Sequence, residues 1–210
     1  VNVSITGGTR VEIKGVSHIR WIPELTHNEA FRQKALLEIR EVLSARVSDP
    51  SAWRVRSVVV DDDQISDIPG LIEQEATQGK RFVAVNLLSF AGILSFFTQP
   101  GQTFGDELSD RLKVIACLEK PNMTHSESLA PMVTKDGWSM LRALLGSELR
   151  GSESKDAQLL LWGPIADIET AVETIEERCQ LAFAGVPNET RKALANGTTQ
   201  RPTGTSLRSS

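Results

Sequence analysis

Three charged side chains spaced two apart, Arg10, Glu12 and Lys14, are the first residues of this 210-residue chain that could do chemistry. Val11 and Ile13 separate them. Alternate residues of an extended strand point to opposite faces, so the three charges share one side. A carboxylate oxygen suits Mg²⁺, a hard cation, and flanking cations suit phosphate oxygens. Arg10, Glu12 and Lys14 are therefore candidates for one wall of a site that handles phosphate and metal. The same alternation is also what an ordinary solvated strand face looks like.

Other chemistry is thinly represented. No glycine loop followed by a lysine is present to cradle phosphates. His18, His27 and His125 are isolated from one another, which fits surface or structural roles. Ser126, in "THSES", has no evident base and no nucleophile elbow. Asp61, Asp62 and Asp63 could bind a cation, but three acids in a turn are usually just solvated. Asp106 and Glu107 begin a helical pattern, where negative charge suits the helix dipole without a chemical role.

The elements that must position the first group follow from periodicity. "VNVSI" and "RVEIK" both alternate and are separated by glycines, the pattern of a β-hairpin. If Val3 opposes Val11 and Asn2 opposes Glu12, the apolar residues share one face. Asn2, Ser4, Arg10, Glu12 and Lys14 then share the other. A three-residue bend, Thr6-Gly7-Gly8 with Gly8 left-handed at a bulge, gives that register. A long helix is expected from about Thr26, with Thr26 and Glu29 as a capping box and Leu36, Ile39, Leu43 and Val47 as its apolar stripe. Pro50 disfavours a helical Asp49 and ends it.

Beyond Trp53 a second unit begins. "RVRSVVV", "KRFVAVNLL" and "AQLLLWG" read as strands, and "DDDQISDIPG" as a polar connection. "IPGLIEQEATQG", "DELSDRLKVIACL" and "TKDGWSMLRALLG" read as helices, and "FAGILSFFTQPGQTFG" as a glycine-punctuated loop or hairpin. "PIADIETAVETIEERCQLAFAG" carries Ile168, Val172, Ile175, Cys179 and Ala182 at helical spacing, with Pro164 in its first turn and Gly185 as its stop. A short "NETRKAL" helix is expected next, and the tail from Asn196 lacks an apolar pattern and should be mobile. This irregular order of strands and helices argues for α+β rather than a doubly wound sheet.

Composition sets outer bounds. The chain is 40% hydrophobic with a net charge of -4. The charge is uneven: through Arg56 there are nine basic and six acidic residues, and afterwards fourteen and twenty-one. Nucleic acid, if touched, should meet the first segment. Cys117 and Cys179 form neither a disulfide framework nor a metal spacing, which favours a reducing cytoplasm. No segment is apolar for long enough to span a membrane. Val1 starts within strand-like sequence, as in a portion of a longer protein.

"VNVSITGGTRVEIKGVSHIRWIP" followed by "HNEAFRQKALLEIREVL" resembles the E subunit of the archaeal-type glutamyl-tRNA(Gln) amidotransferases, and more distantly the bacterial B subunit. The match lies in the strand at Val1–Ser4, the run Gly8–Gly15 with its glycine after the lysine, and the helix ending in "LLEIR". "FVAVNLLSFAGIL", "QPGQTFGDELSD", "THSESL" and "AGVPNETRKALANGTT" resemble the domain inserted in the E subunit, a GAD-like domain also found in bacterial-type aspartyl-tRNA synthetases. The resemblance runs to about Pro202. "TGTSLRSS" does not reproduce the glycine, arginine and acidic motif that follows in the family.

That resemblance implies a partial catalytic cradle over residues 1–52, an inserted α+β domain with a mainly antiparallel sheet over 53–187, and a short helix and tail over 188–210. It implies ATP-dependent phosphorylation of the glutamate carried on tRNA, with Mg²⁺, and displacement of phosphate by ammonia from an asparaginase-like glutaminase, the D subunit. Glu12 becomes the expected Mg²⁺ ligand. Lys14 and Arg10 would neutralise phosphate oxygens or tRNA backbone, and Asn2 and Ser4 would orient by hydrogen bonds. The family's other metal ligands, its N-terminal cradle half and its C-terminal helical region have no counterpart here, so the chain alone is expected to be inactive. An alternative is a non-catalytic docking module for tRNA or protein; another is a scaffold that has lost the activity.

Overall fold

The computed structural model describes residues 1–68, 79–146 and 155–202, which form an α+β fold. Strands β1 (Asn2–Val3) and β2 (Val11–Lys14) pair antiparallel, with Asn2 opposite Glu12 and Val3 opposite Val11. The register is the one that burial dictates: Val3, Val11 and Ile13 are buried. The bend differs from expectation. Gly8 N donates to Ile5 O at 2.9 Å, and it is Gly7, not Gly8, that has a positive φ of +79°. Gly7 is thus the third residue of the turn, the position where type II geometry requires positive φ.

Helix α1 (Ile22–Arg46) starts four residues before Thr26. Pro23 occupies its first turn, where its missing N–H costs nothing. The expected capping box does not form: Thr26 Oγ1 donates back to Ile22 O at 2.7 Å, and Glu29 is buried in an ion network. Leu36, Ile39 and Leu43 are buried as their spacing implies, and half-buried Val47 packs against the same cluster.

The segment expected to be the "NETRKAL" helix is strand β9 (Thr190–Ala193). It runs parallel to β2, pairing Glu12 with Thr190, Ile13 with Arg191 and Lys14 with Lys192. Glu, Lys, Ala and Leu favour helix locally, but pairing with β2 and alternate burial of Arg191 and Ala193 override that preference. The first residues of the tail are paired where mobility was expected, while 203–210 lie outside the described residues. Strand β10 (Thr199–Gln200) pairs antiparallel with β9, completing a sheet in the order β1-β2-β9-β10. Gln99 holds β10 by its side-chain amide, accepting from Thr199 N at 2.8 Å and donating to Thr199 O at 2.9 Å.

A second sheet, wholly antiparallel, has the order β3 (Arg56–Val60), β4 (Lys80–Leu87), β8 (Ala157–Pro164), β7 (Met123–His125). Both faces of β4 and β8 are covered, which explains their unbroken apolar runs. Val83, Val85, Leu159 and Leu161 face a core with α3 (Phe104–Ile115) and α5 (Ile165–Ala182). Phe82, Ala84, Leu160 and Trp162 face one with α4 (Lys135–Leu144). The polar connection after β3 contains a short helix, α2 (Asp62–Ser66), and the helix expected from Ile68 to Gly79 falls mostly on 69–78, outside the described residues. A small hairpin, β5 (Phe97–Gln99) and β6 (Gln102–Thr103), lies in the glycine-punctuated stretch.

One apolar cluster joins the two parts: Val11, Leu36, Ile39 and Leu43 pack with Trp53, Phe90, Ile175 and Cys179. Within it the Trp53 ring lies 5.2 Å from Phe90 and 5.8 Å from Phe183, and Trp53 Nε1 donates to Leu88 O.

Candidate functional site

The side of the first sheet away from α1 is polar. Asn2, Ser4, Arg10 and Lys14 are exposed and Glu12 is half-buried. Register neighbours share a face, so Thr190 stands beside Glu12, Lys192 beside Lys14, and Gln200 beside Lys192. Thr190 and Lys192 were not anticipated in the sequence because their segment reads as helix. The signal was the alternation Thr-Arg-Lys-Ala, in which the inward position is an arginine rather than an aliphatic residue.

Lys14 Nζ lies 3.8 Å from Glu12 Oε2, with both side chains about half exposed (56% and 46%). Such a pair contributes little to stability, about 0–1 kcal/mol. The adjacent Lys14 and Lys192 repel, since like charges directly opposite are unfavourable in a sheet. Arg10, at the entrance to β2, adds a third cation. Among the described residues, the face thus has one carboxylate beside three cations, an arrangement that a polyanion relieves.

The hairpin is held by α1. Buried Gln33 accepts from Ile5 N at 3.2 Å and donates to Val3 O at 3.1 Å, bridging the strand end to the helix. Thr9 Oγ1 donates to Val186 O at 2.9 Å, tying the bend to the segment after α5. Gly8 sits where a Cβ would lie 2.4 Å from Gln33 Oε1 and 3.2 Å from Ile5 O. Gly8→Ala is expected to displace Gln33 and lower stability by about 1–3 kcal/mol; urea denaturation measures the loss, and increased proteolysis at Thr6–Arg10 would report a loosened bend.

Beneath the polar face lies a buried ion network. Arg191 Nη1 donates to Glu189 Oε1 at 2.7 Å, and Arg32 Nη2 donates to the same oxygen at 2.9 Å. Arg111 Nη2 donates to Glu189 Oε2 at 2.7 Å. Arg178 Nε donates to Glu107 Oε1 at 2.7 Å, and Arg32 Nη1 to Glu29 Oε1 at 3.2 Å. The network joins α1, α3, α5 and β9. Burial alone would raise the Glu107 pKa, but the guanidiniums of Arg178, Arg32, Arg191 and Arg111 outweigh it and hold the carboxyl well below its ordinary value. Glu189 is likewise pushed up by burial and pulled further down by Arg191, Arg32 and Arg111, to about 2. Glu107 lies in the first turn of α3 as expected and is in addition a buried structural counter-ion.

The remaining sequence candidates separate from this face. His18 and His27 are exposed, and His18 packs edge-on against Trp21. His125 Nδ1 accepts from Glu127 N, and burial lowers its pKa against the raising effects of Glu127 and Asp106. Ser126 Oγ accepts from Gln158 N in the second sheet. Among the described residues, no group of three or more His, Cys, Asp or Glu could hold a metal, and no helix is long and apolar enough to cross a membrane.

The architecture defines the class: an α+β chain whose first and last segments build a cation-rich open sheet against a larger antiparallel body. No family profile matches the chain. Curated proteins do. The chain is 34% identical over 203 residues to the E subunit of the glutamyl-tRNA(Gln) amidotransferase of Sulfurisphaera tokodaii, covering 95% of this chain and 31% of that protein. The corresponding E subunits of Methanocaldococcus jannaschii and Pyrococcus furiosus are each 34% identical, over 95% of this chain and 30% and 31% of theirs. The chain is thus related to one segment of the amidotransferase E subunit and spans less than a third of the length of those relatives.

Proposed function

We propose that this chain forms part of a tRNA-dependent amidotransferase, in which the polar face of the first sheet is one wall of the phosphorylation site. The reaction is conversion of Glu-tRNA(Gln) to Gln-tRNA(Gln) in the cytoplasm. The supporting observation is the register that places Glu12, Lys14 and Lys192 side by side on an open face.

The chemistry asks for what that face offers. A glutamyl side-chain carboxylate is a poor electrophile toward ammonia, and ATP with Mg²⁺ supplies the phosphoryl group that makes it a good one. Phosphoryl transfer depends mainly on positioning and charge neutralisation. Glu12 would hold Mg²⁺ directly or through water; a single carboxylate suffices when substrate phosphates and waters complete the shell. Lys14 and Lys192 neutralise phosphate oxygens, and Arg10 does so at phosphate or tRNA backbone. Asn2 and Ser4 orient the substrate by hydrogen bonds. Ammonia comes from a partner glutaminase, the D subunit, and displaces phosphate.

The test is an assay of the full-length protein carrying this chain, with ATP, Mg²⁺ and an ammonia source, for formation of Gln-tRNA from Glu-tRNA. Absence of product under saturating conditions overturns the reading. Lys192→Ala is expected to weaken tRNA or ATP binding about 3–10-fold and to reduce the salt slope of binding by about one, as loss of one phosphate contact does. Filter binding across a salt series measures both.

A second reading, a docking module without catalysis, draws on a different surface. An open groove of about 400 Å³ between α1 and β5 is lined by Phe31, Ala35, Phe96 and Phe97. Phe31 and Phe97 are each nearly half exposed. Retention of tRNA binding without Gln-tRNA formation would favour it.

A further inference from the structure

The buried ion network beneath the sheet is not electrically closed. Among the described residues it contains four guanidiniums, Arg32, Arg111, Arg178 and Arg191, against three carboxylates, Glu29, Glu107 and Glu189. Arg32 and Arg178 are fully buried, and Arg111 and Arg191 are 3% exposed. The excess of one positive charge resides where solvent does not reach.

The unmet hydrogen-bonding capacity lies mostly on the same sign. Arg178 spends Nε on Glu107, while its Nη1 and Nη2 have no partner among the described residues. Arg32 Nε and Arg111 Nε also lack one. Glu29 Oε2 is unpartnered too, but Glu29 Oε1 already accepts from Arg32 and Gln33. The Arg178 guanidinium lies over the Phe104 ring at 4.8 Å, so the ring covers one side of it. Burial lowers the pKa of Arg111, Glu189 and Glu107 raise it, and Arg178 and half-buried Arg201 lower it again, as like charges crowded beside it do. A buried charge without a counter-charge is strongly unfavourable. A water molecule would satisfy the N–H groups and leave the charge unbalanced.

We infer that the free edge of Arg178 binds a small monovalent anion of the halide class, which completes the network joining α1, α3, α5 and β9. One negative charge closes the balance, and a spherical ion accepts from Nη1 and Nη2 together without the directional demands of a carboxylate. This site is separate from the solvent-facing surface of the first sheet and does not depend on the function proposed for that surface.

Anions that bind only the folded state raise its melting temperature in a saturable way. The chain is expected to melt roughly 2–4 °C higher in sodium chloride or bromide than in sodium gluconate at equal ionic strength, as for a ligand about fivefold above its Kd. Arg178→Met, which keeps an apolar stem on Phe104, should abolish that difference. If this variant does not fold, anomalous scattering from bromide-grown crystals of the unaltered chain decides: a peak within hydrogen-bond distance of Arg178 Nη1 and Nη2 supports the site. Equal melting in both salts, or a water with no bromide signal at those nitrogens, overturns it.

Discussion

Glu107→Gln is expected to cost the fold about 3–5 kcal/mol, the range for removing one partner from a buried charge network. Glu107 Oε1 receives Arg178 Nε at 2.7 Å and lies 3.7 Å from Arg32 and 3.9 Å from Arg111. The amide keeps the shape but leaves three guanidiniums facing a neutral group. Urea denaturation of the two proteins measures the difference; a loss below about 1 kcal/mol would show that the network is solvated rather than buried. The same residues set a pH dependence. The folded-state pKa values of Glu107 and Glu189 lie below their ordinary value of 4.5, with Glu189 at about 2. Depressed carboxyls stabilise the fold fully above the unfolded pKa and lose that contribution as pH falls through the folded one. Stability from this source should be level above about pH 5 and decline between about pH 4.5 and 2. The decline should be much shallower in Glu107→Gln.

The second large effect concerns activity rather than folding. On the proposed function, Glu12→Gln in the full-length protein is expected to reduce Gln-tRNA formation at least about 100-fold, the scale seen when one preorganised charge-stabilising group is removed from a reacting centre. The fold should barely change, because the side chain is nearly half exposed and its pair with Lys14, at 3.8 Å, is weak. Measuring kcat at saturating tRNA and ATP, a Mg²⁺ titration, and a thermal melt on the same preparation separates the two roles. Unchanged kcat and unchanged Mg²⁺ dependence would remove Glu12 from the site. A large drop in melting temperature would instead make it a structural residue.

What the sequence revealed about this site depended on whether local pattern and tertiary environment agreed. In the hairpin they agree: Val3, Val11 and Ile13 alternate with polar residues and each apolar side chain is buried, so the register could be derived from face matching alone. The stripe of α5 was equally plain, with Ile168, Ile175, Cys179 and Ala182 buried and Val172 half-buried against the same cluster. In β9 they conflict. Its inward positions are Arg191 and Ala193, and an arginine is not an obvious core residue until Glu189 and Thr199 are seen beside it. That conflict concealed Lys192, and with it the second cation that stands beside Lys14 on the polar face. Glu107 was obscured differently. Its position in the first turn of α3 accounts for an acid there, and nothing local points to Arg178, 71 residues away. At Thr26, Pro23 was the better helix-start signal than the Thr26–Glu29 pair.

The parallel seam between β2 and β9 has a kinetic consequence. Ile13 and Arg191 are neighbours in space but are separated by almost the whole described chain. Closing so long a loop is entropically slow, and contacts of this kind delay folding relative to local ones. On the ribosome the first ribbon emerges long before its mate, so Val3, Val11 and Ile13 are without β9 in the interval. Pairings within the antiparallel body close shorter loops, so they are expected to form before the seam that completes the cationic surface.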